Sequence, residues 1–383
     1  MDLAFGLDTY AERTARVMKR LAAARIDALI VNMPDNLHYL TGFDSLGYLW
    51  YQALLLSPGL DAPTFVTRTT EEPCTWETSC VRRAKFYDIA RQDPIKRVAG
   101  LLAEAGVGDG RIGVETSAFT MLPRQWDRLR DLLPEATFVD ASTLVAEERL
   151  IKSPAEIAYQ RAAGQMADAG LTAGLGALCP GISEVEVAGV IAQALGEAGS
   201  EYAAIPPMVA SGPRSAMIHA MPSGRSLALG DVVAIELAGV CRRYHAVIMR
   251  TAVVGRPSTR LREVAACLAE GFDAALAAAR PDAAAGAPDQ ACNARLARLD
   301  LVPARAHRIG YSLGIAYPPT WLEAMVLDES DSHRLAVGMS FTLEPNLSLP
   351  AEGFGVKLGE TALCTAEGGE SLSALDHHLI VVD

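Results

Sequence analysis

The sequence predicts an α/β protein built from two domains, and three observations lead to this prediction. Helical and strand patterns alternate through the first 150 residues, as they do in α/β layers. A break at Ser153-Pro154 then separates this part from a long helical stretch. Further on, Gly230–Thr251 contains two apolar runs joined by a short turn, which predicts a central hairpin. We place the domains at residues 1–150 and 151–383.

The first domain is predicted to open with an amphipathic helix, because apolar residues recur at helical spacing between Tyr10 and Ala24. A buried strand at 26–31 and a turn-rich segment at 32–44 come next. The later elements continue the alternation: strands at 51–56, 63–66 and 111–114, and a helix at 96–105.

The domain boundary lies in the segment 145–155, which begins as a helix end and restarts as a helix. Ser153 is placed to cap the new helix, with Pro154 at its first position and Glu156 at its third. The second domain then has the following predicted elements: helices at 154–175 and 184–198, a strand pair around 204–211, the hairpin, a helix at 260–280 and a loop at 281–288.

One carboxylate, Glu236, interrupts the first apolar run of the hairpin. An ionised carboxylate in such a strand is costly without a partner, so Glu236 is either paired structurally or placed for chemistry. Arg250 on the second strand is a candidate partner. Tyr244 and His245 point to opposite faces because alternate residues share a face, and His245 is either a site residue or a core histidine bonded to backbone.

Composition excludes several classes of protein. The formal net charge of −12, without a long basic run, argues against nucleic-acid binding. The seven cysteines form no Cys-x-x-Cys pair, and with no signal-peptide pattern at the N-terminus we expect reduced thiols and a cytoplasmic location. No apolar stretch reaches the roughly 18 residues of a membrane span, so we expect no membrane association.

The hairpin resembles that of the pita-bread family, which includes methionine aminopeptidase, aminopeptidase P, prolidase, creatinase and ectoine hydrolase. The metallopeptidases of this family carry an Asp, a Gly-Tyr, a second Asp and then Thr-Arg-Thr. Here these positions fall on Glu236, Tyr244, Val247 and Arg250-Thr251. Valine cannot bind a metal, so the resemblance points to the members that work without one.

A second motif, Arg308–Glu323, is similar to the signature of ectoine hydrolases, Gly-Tyr-x-x-Gly-x-x-Tyr-Pro-Pro-x-Trp. Tyr311 stands where the peptidases have a metal-binding histidine, and a neutral phenol is instead a good hydrogen-bond donor. The resemblance makes Tyr311 and Tyr317 candidate substrate-binding residues. The alternative is that both are core aromatics.

Three further positions are interpreted through the same resemblance. His219 has a pKa range suited to proton transfer and matches the acid/base histidine of creatinase, although a surface loop histidine is the plain alternative. Glu344 matches the glutamate that holds substrate in creatinase but departs from the ectoine hydrolase pattern. The last metal-binding Glu of the peptidases falls on Gly359, and Glu360 follows it.

The resemblance implies an N-terminal creatinase-like α/β domain, a C-terminal pita-bread domain and a homodimer. We expect a hydrolase that needs no metal or other cofactor and cleaves a C–N bond in a small amidine, guanidino or cyclic amide compound. His219, Glu236 and Glu344 are the predicted catalytic residues. The predicted substrate-binding residues are His245, Arg250, Tyr311, Tyr317 and Glu360. The alternatives are an Xaa-Pro metallopeptidase and an inactive protein that binds a small molecule.

Overall fold

The computed structural model describes residues 2–305 and 307–382 and divides the chain into two compact units. The first unit ends at Arg149 and the second begins at Leu150. In the described part of the chain, no helix combines the length and apolar character needed to cross a membrane.

The first unit is a mixed sheet with helices. Its strands are β1 (Ala28–Val31), β2 (Ala53–Leu56), β3 (Thr64–Arg68), β4 (Arg83–Tyr87), β5 (Arg111–Val114) and β6 (Thr137–Asp140). They lie in the order β4-β3-β2-β1-β5-β6, in which β2 is antiparallel to both of its neighbours and the other pairs are parallel. Its α-helices are α1 (Leu7–Ala23), α2 (Pro34–Thr41), α3 (Glu72–Thr78), α4 (Pro94–Glu104), α5 (Pro123–Leu132) and α6 (Ser142–Arg149).

One prediction for this unit is wrong. Most of the segment expected to be turn-rich is the helix α2. Pro34 stands in its first turn, where a missing N–H costs nothing, and Gly42 ends it with φ of 78°. The turn residues of the sequence therefore mark the two ends of a helix rather than a loop.

The second unit is organised around the hairpin. Its α-helices are α7 (Pro154–Gly176), α8 (Glu184–Glu197), α9 (Thr259–Ala278) and α10 (Ala287–Leu296). Its strands are β7 (Met208–Ser211), β8 (Val232–Cys241), β9 (Tyr244–Val254), β10 (Tyr311–Tyr317), β11 (Thr320–Val326), β12 (Ser340–Leu343), β13 (Leu347–Leu349), β14 (Phe354–Val356), β15 (Gly359–Thr365), β16 (Gly368–Ser371) and β17 (Ile380–Val382). The main sheet runs β11-β10-β12-β15-β9-β8-β7, while β16 pairs with β15 and β17 with β9. As predicted, Ser153 and Glu156 form a capping box at the start of α7.

The register of the hairpin decides which side chains share a face. A two-residue turn at Arg242-Arg243, with φ of 50° and 66°, joins β8 to β9. Glu236 is thereby paired with Met249, whereas Arg250 is paired with Ile235. Because paired residues lie on one face and the next residue lies on the other, Glu236 and Arg250 point to opposite sides of the sheet.

Helix α7 covers one of these faces closely. A Cβ atom at Gly239 would lie 2.0 Å from the carbonyl oxygen of Ala163, so only glycine permits this approach. Leu237 and Ile235, on the same face, belong to the apolar cluster that includes Ala167 and Leu171 of α7. The opposite face, with Glu236 and Met249, is left for the cavity described next.

Candidate active site

A cavity of about 430 Å³ lies within the second unit, against the face of β8 that carries Glu236. Much of its wall is apolar. Polar groups from several separate segments enter it: His219, Glu236, His307, Arg308, Tyr311, Glu344 and Asn346. The structure therefore brings together four of the predicted site residues, namely His219, Glu236, Tyr311 and Glu344.

Glu236 has a cationic partner, but it is Lys357 and not Arg250. Lys357 Nζ donates a hydrogen bond to Glu236 Oε2 at 2.6 Å. Both side chains are buried, with 4% of Lys357 and 7% of Glu236 exposed. The same Nζ donates to the carbonyl oxygen of Ile218 at 2.5 Å. The ammonium group thus compensates the charge of the buried carboxylate.

Glu344 lies in a different electrostatic environment. Burial raises the pKa of its carboxyl group well above the usual range, and the nearby Glu236 carboxylate raises it further. Tyr311 Oη donates to Glu344 Oε2 at 3.2 Å and accepts from Trp321 Nε1 at 2.8 Å. Burial also raises the pKa of the Tyr311 phenol, so that it stays a neutral donor. We call Glu236, Lys357, Glu344 and Tyr311 the cavity cluster.

Two histidines border this cluster. His219 is exposed and follows the short 3-10 helix Gly212–Ala216. His307 Nδ1 lies 3.9 Å from Glu344 Oε1 and 2.7 Å from the carbonyl oxygen of Arg308. Burial lowers the pKa of His307, which favours its neutral form. His219, at the solvent side of the cavity, is the histidine with access to water.

Arg308 and Asn346 each bring a buried polar atom without a partner to the cavity wall. In the described part of the chain, Arg308 Nε and Asn346 Oδ1 have no hydrogen-bond partner. The Arg308 guanidinium lies 5.4 Å from the centre of the Tyr311 ring. Since buried polar groups are normally satisfied, a donor and an acceptor are available here for a bound molecule.

The donor set does not fit the two-metal centre of the peptidases. Val247, Tyr311 and Gly359 occupy positions where the peptidase pattern has ligands. A Cβ atom at Gly359 would lie 2.8 Å from the carbonyl oxygen of Leu343 and 3.0 Å from the Cα atom of Glu344, so a longer side chain has no room. Among the described residues, no group of three or more His, Cys, Asp or Glu is placed to hold a metal ion.

His245 lies on the same face as Glu236 but does not line the cavity. It is fully buried, donates from Nδ1 to the carbonyl oxygen of Arg243 at 2.9 Å and accepts at Nε2 from the Ala204 N–H at 3.0 Å. Burial, assisted by the Arg243 charge, lowers its pKa to about 3. Both ring nitrogens are used, so the structure favours the core alternative over substrate binding.

Arg250 and Glu360 are brought together, but on the far side of the sheet from Glu236. Arg250 Nη2 donates to Glu360 Oε2 at 2.6 Å, and His377 Nε2 lies 3.0 Å from Glu360 Oε1. The Arg250 guanidinium also donates to the carbonyl oxygens of Leu375 and Asp376. We call Arg250, Glu360 and His377 the rear cluster. The expected Glu236–Arg250 pair is therefore wrong, because the hairpin register separates the two side chains.

Tyr317 also lies outside the cavity lining. It is buried, and the Arg243 guanidinium lies 4.6 Å from the centre of its ring. This cation–π contact orders the chain beside the hairpin turn. The structure therefore favours the core alternative for Tyr317, whereas Tyr311 of the same motif reaches the cavity.

The sequence analysis missed Lys357, His307, Arg308 and Asn346. For Lys357 a signal existed, because it is a single charge in the apolar segment 354–358. The argument that required a partner for Glu236 applies equally to a buried lysine. His307, Arg308 and Asn346 lie in irregular segments, where no periodicity predicts which way a side chain points.

Comparison with known proteins agrees with a two-domain hydrolase of the pita-bread class. The profile of metallopeptidase family M24 matches residues 158–366, and that of the creatinase/prolidase N-terminal domain matches residues 13–151. The chain therefore belongs to metallopeptidase family M24, and both the family resemblance and the predicted fold class are confirmed.

The relatives of the chain carry the names of two kinds of hydrolase, an ectoine hydrolase and dipeptidases. The chain is 30% identical to the ectoine hydrolase of Halomonas elongata over 400 residues, covering 100% of this chain and 99% of that protein. It is 26% identical to the Xaa-Pro dipeptidase of Pyrococcus horikoshii over 378 residues, with 98% and 100% covered. The crystal structure of dipeptidase PepE from Mycobacterium ulcerans matches with a TM-score of 0.86 at 26% identity, covering 99% of each chain. Membership of a hydrolase family follows, while the type of bond cleaved differs among these relatives.

Proposed function

We propose that this protein hydrolyses a C–N bond of a small amidine, guanidino or cyclic amide compound without a metal ion. The observation that carries the proposal is the Lys357 ammonium, 2.6 Å from Glu236 Oε2. In the metallopeptidase pattern the carboxylate at this position binds metal. Here a side chain of the protein supplies the positive charge, and three other ligand positions hold Val247, Tyr311 and Gly359, which do not suit a metal.

The two carboxyl groups of the cavity are suited to different tasks. Glu236 is paired with an ammonium group through Oε2 and offers Oε1 as an acceptor that orients the N–H groups of the substrate. The raised pKa of Glu344 favours its protonated form, which donates a hydrogen bond that an ionised carboxylate cannot donate. A buried carboxyl group with a raised pKa in a cavity is typical of acid/base sites.

His219 is assigned the proton transfers. It removes a proton from water as the water oxygen forms a bond to the amidine carbon. The tetrahedral intermediate then collapses, the C–N bond breaks and the imidazolium of His219 returns the proton to the leaving nitrogen. An alternative first step is attack by a Glu236 oxygen on the same carbon, after which the C–N bond breaks, the leaving nitrogen takes a proton from protonated His219, and water cleaves the resulting acyl bond at the Glu236 carboxyl carbon. A single turnover of unlabelled substrate in ¹⁸O-labelled water tests for this route, because it leaves an unlabelled Glu236 oxygen in the product, whereas direct attack by water leaves a labelled one.

Substrate contacts are assigned to Arg308 Nε and Asn346 Oδ1, the two buried atoms of the cavity wall for which the described part of the chain provides no hydrogen-bond partner. Arg308 Nε can donate to a polar substituent, and Asn346 Oδ1 can accept from a substrate N–H. The apolar wall, which includes Met208, Met249 and Trp321, encloses the ring or chain of the compound. A cavity of about 430 Å³ is in the range of sites for small molecules.

The test is turnover of two substrate panels by protein of known metal content. One panel contains amidines, guanidino compounds and cyclic amidines of the ectoine type, and the other contains Xaa-Pro dipeptides. We expect turnover of the first panel, unaffected by chelators, with less than one equivalent of divalent metal per chain. Dipeptide hydrolysis that is lost with chelators would favour the metallopeptidase alternative. Binding without turnover would favour an inactive binding protein.

A further inference from the structure

The Lys357 ammonium connects two parts of the proposed site. It donates to Glu236 Oε2 at 2.6 Å and to the carbonyl oxygen of Ile218 at 2.5 Å. Ile218 directly precedes His219 in the chain. One buried cation therefore contacts both the carboxylate on the hairpin and the loop that carries the histidine.

The position of this lysine is fixed by its backbone as well as by its burial. Thr251 Oγ1 donates to the carbonyl oxygen of Lys357 at 2.8 Å and accepts from its N–H at 2.7 Å. Thr251 belongs to β9, the strand paired with the one that carries Glu236. The backbone of Lys357 is thus hydrogen-bonded to the hairpin that carries Glu236, and the burial of the side chain restricts where its ammonium group can move.

Lys357 reaches only one oxygen of Glu236. In the described part of the chain, its Nζ is the only hydrogen-bond donor to the Glu236 carboxylate, and it binds Oε2. Glu236 lines the cavity, whereas Lys357 is not among the lining residues. Oε1 is therefore left for a bound molecule, and Lys357 acts on that molecule only through Glu236 and the His219 loop.

We propose that Lys357 is a positioning residue for the hydrolysis described above, a tethered cation that holds Glu236 and the His219 loop in a fixed relation. This inference rests on the proposed function. The lysine neutralises Glu236 without occupying the cavity, and it carries no part of the proton transfer. Its removal should lower the rate of the chemical step more than it weakens substrate binding.

The same unit offers a closely matched control. Lys152 Nζ lies 2.6 Å from Glu323 Oε2, and these two side chains are 1% and 2% exposed. Lys152 Nζ also donates to the carbonyl oxygen of Leu150 at 3.2 Å. This second pair repeats the chemistry of the first, a buried lysine bound to a carboxylate and to a carbonyl, but neither residue lines the cavity.

The kinetic experiment compares Lys357→Met with Lys152→Met in the full chain. Both variants should have a lower melting temperature, because each removes a buried cationic partner from a buried carboxylate. Only Lys357→Met should lower kcat by about 100-fold or more, the scale of a displaced catalytic group, with a smaller change in KM. Equal kcat values per folded molecule for the two variants would overturn the proposal.

Chemical rescue keeps the test decisive if Lys357→Met does not fold. In Lys357→Ala, ethylammonium should restore part of the lost kcat, because it can donate hydrogen bonds to Glu236 and Ile218. Tetramethylammonium has the same charge but no N–H and should not restore it. Equal effects of the two ions would contradict a positioning role.

A third measurement does not depend on turnover. Deuterium exchange at the backbone amides of residues 217–220 should be faster in Lys357→Met than in the natural protein, and unchanged in Lys152→Met. If exchange changes in this way but no compound is hydrolysed by the natural protein, the proposed function fails and the positioning role of Lys357 stands. Unchanged exchange in Lys357→Met would overturn the positioning role whatever the turnover.

Discussion

The cavity cluster and the rear cluster each pair a buried carboxylate with a buried cation, on opposite faces of one hairpin, yet the two carboxylates differ in how many hydrogen bonds they accept. In the rear cluster, Glu360 accepts hydrogen bonds from Arg250, His377 and Ser371. The Arg250 guanidinium also donates to the carbonyl oxygens of Leu375 and Asp376. In the cavity cluster, Glu236 has one described partner and faces open space. A buried charge is thus evidence for function only when part of its bonding capacity remains free.

The largest expected effect is a loss of turnover in the variant Glu236→Gln. This change keeps the size of the side chain and an acceptor for Lys357, but it puts an amide N–H in place of the carboxylate oxygen that accepts from the substrate. We expect turnover per folded molecule to fall by about 100-fold or more. The matched variant Glu360→Gln makes the same change in the rear cluster and should lower stability while leaving turnover per folded molecule near normal. Equal turnover in the two variants would remove the distinction between the clusters.

The second largest effect is a loss of stability in the variant Arg250→Met. This substitution leaves Glu360 buried, with His377 and Ser371 as its remaining partners among the residues that the structure describes. Breaking a buried pair in this way should cost roughly 3–5 kcal/mol in the free energy of unfolding, as measured by urea denaturation. A loss below about 1 kcal/mol, the range of a surface pair, would mean that the rear cluster is not the structural element described here.

A smaller loss is expected from Gly359→Ala, which tests the space beside the cavity cluster. The added Cβ atom would lie 2.8 Å from the carbonyl oxygen of Leu343 and 3.0 Å from the Cα atom of Glu344. Such overpacking should cost about 1–3 kcal/mol in the same denaturation experiment. Gly189→Ala in helix α8 is the control, because among the described residues no atom other than those of its chain neighbours and the adjacent helix backbone lies within 4 Å of the added Cβ, and it should be neutral or stabilising. A neutral Gly359→Ala would reopen this position to a longer side chain.

The smallest effect is a pH dependence of the rear cluster, tested with His377→Gln. The hydrogen bond to Glu360 raises the pKa of His377, so its stabilising contribution is complete below the unfolded pKa and is lost as pH rises through the folded pKa. Burial opposes the ionisation of Glu360, but bonds from His377 and Arg250 outweigh it and lower its pKa. The stabilising contribution of the ionised Glu360 is therefore present above its unfolded pKa and is lost as the pH falls through its folded pKa.

Both contributions are therefore present between about pH 5 and about pH 6.5. In this window His377→Gln should be less stable than the natural protein by up to about 1 kcal/mol, the scale of a partly exposed pair. The difference in melting temperature should shrink as the pH rises above this window. A difference that grows with rising pH would contradict the assigned protonation of His377.

The sequence predicted the parts of the site that lie on regular strands or carry a recognisable motif. Glu236, Tyr311 and Glu344 were found in this way, and the cavity contains them. The suggested pairing of Glu236 with Arg250 was wrong because it was based on charge alone and did not take the strand register of the hairpin into account. A two-residue turn at Arg242-Arg243 already places Arg250 opposite Ile235, on the other face of the sheet.

The remaining site residues depend on contacts between segments that are distant in sequence. Lys357 meets Glu236 across 121 positions of the chain and Ile218 across 139. No local pattern fixes such distances, since they arise from the order of strands in the sheet. The same holds for His245, whose core role depends on the Ala204 N–H, 41 residues away.

The bonds of Arg250 also constrain how the chain reaches its folded state during synthesis. Its partners Glu360, Leu375 and Asp376 follow it by 110, 125 and 126 residues. Strand β17, Ile380–Val382, adds the parallel neighbour of β9 later still. A ribosome that has finished the central hairpin has therefore not yet made the groups that neutralise its buried guanidinium. The second unit completes these contacts only after residues 375–382 have left the exit tunnel, while the first can fold well before.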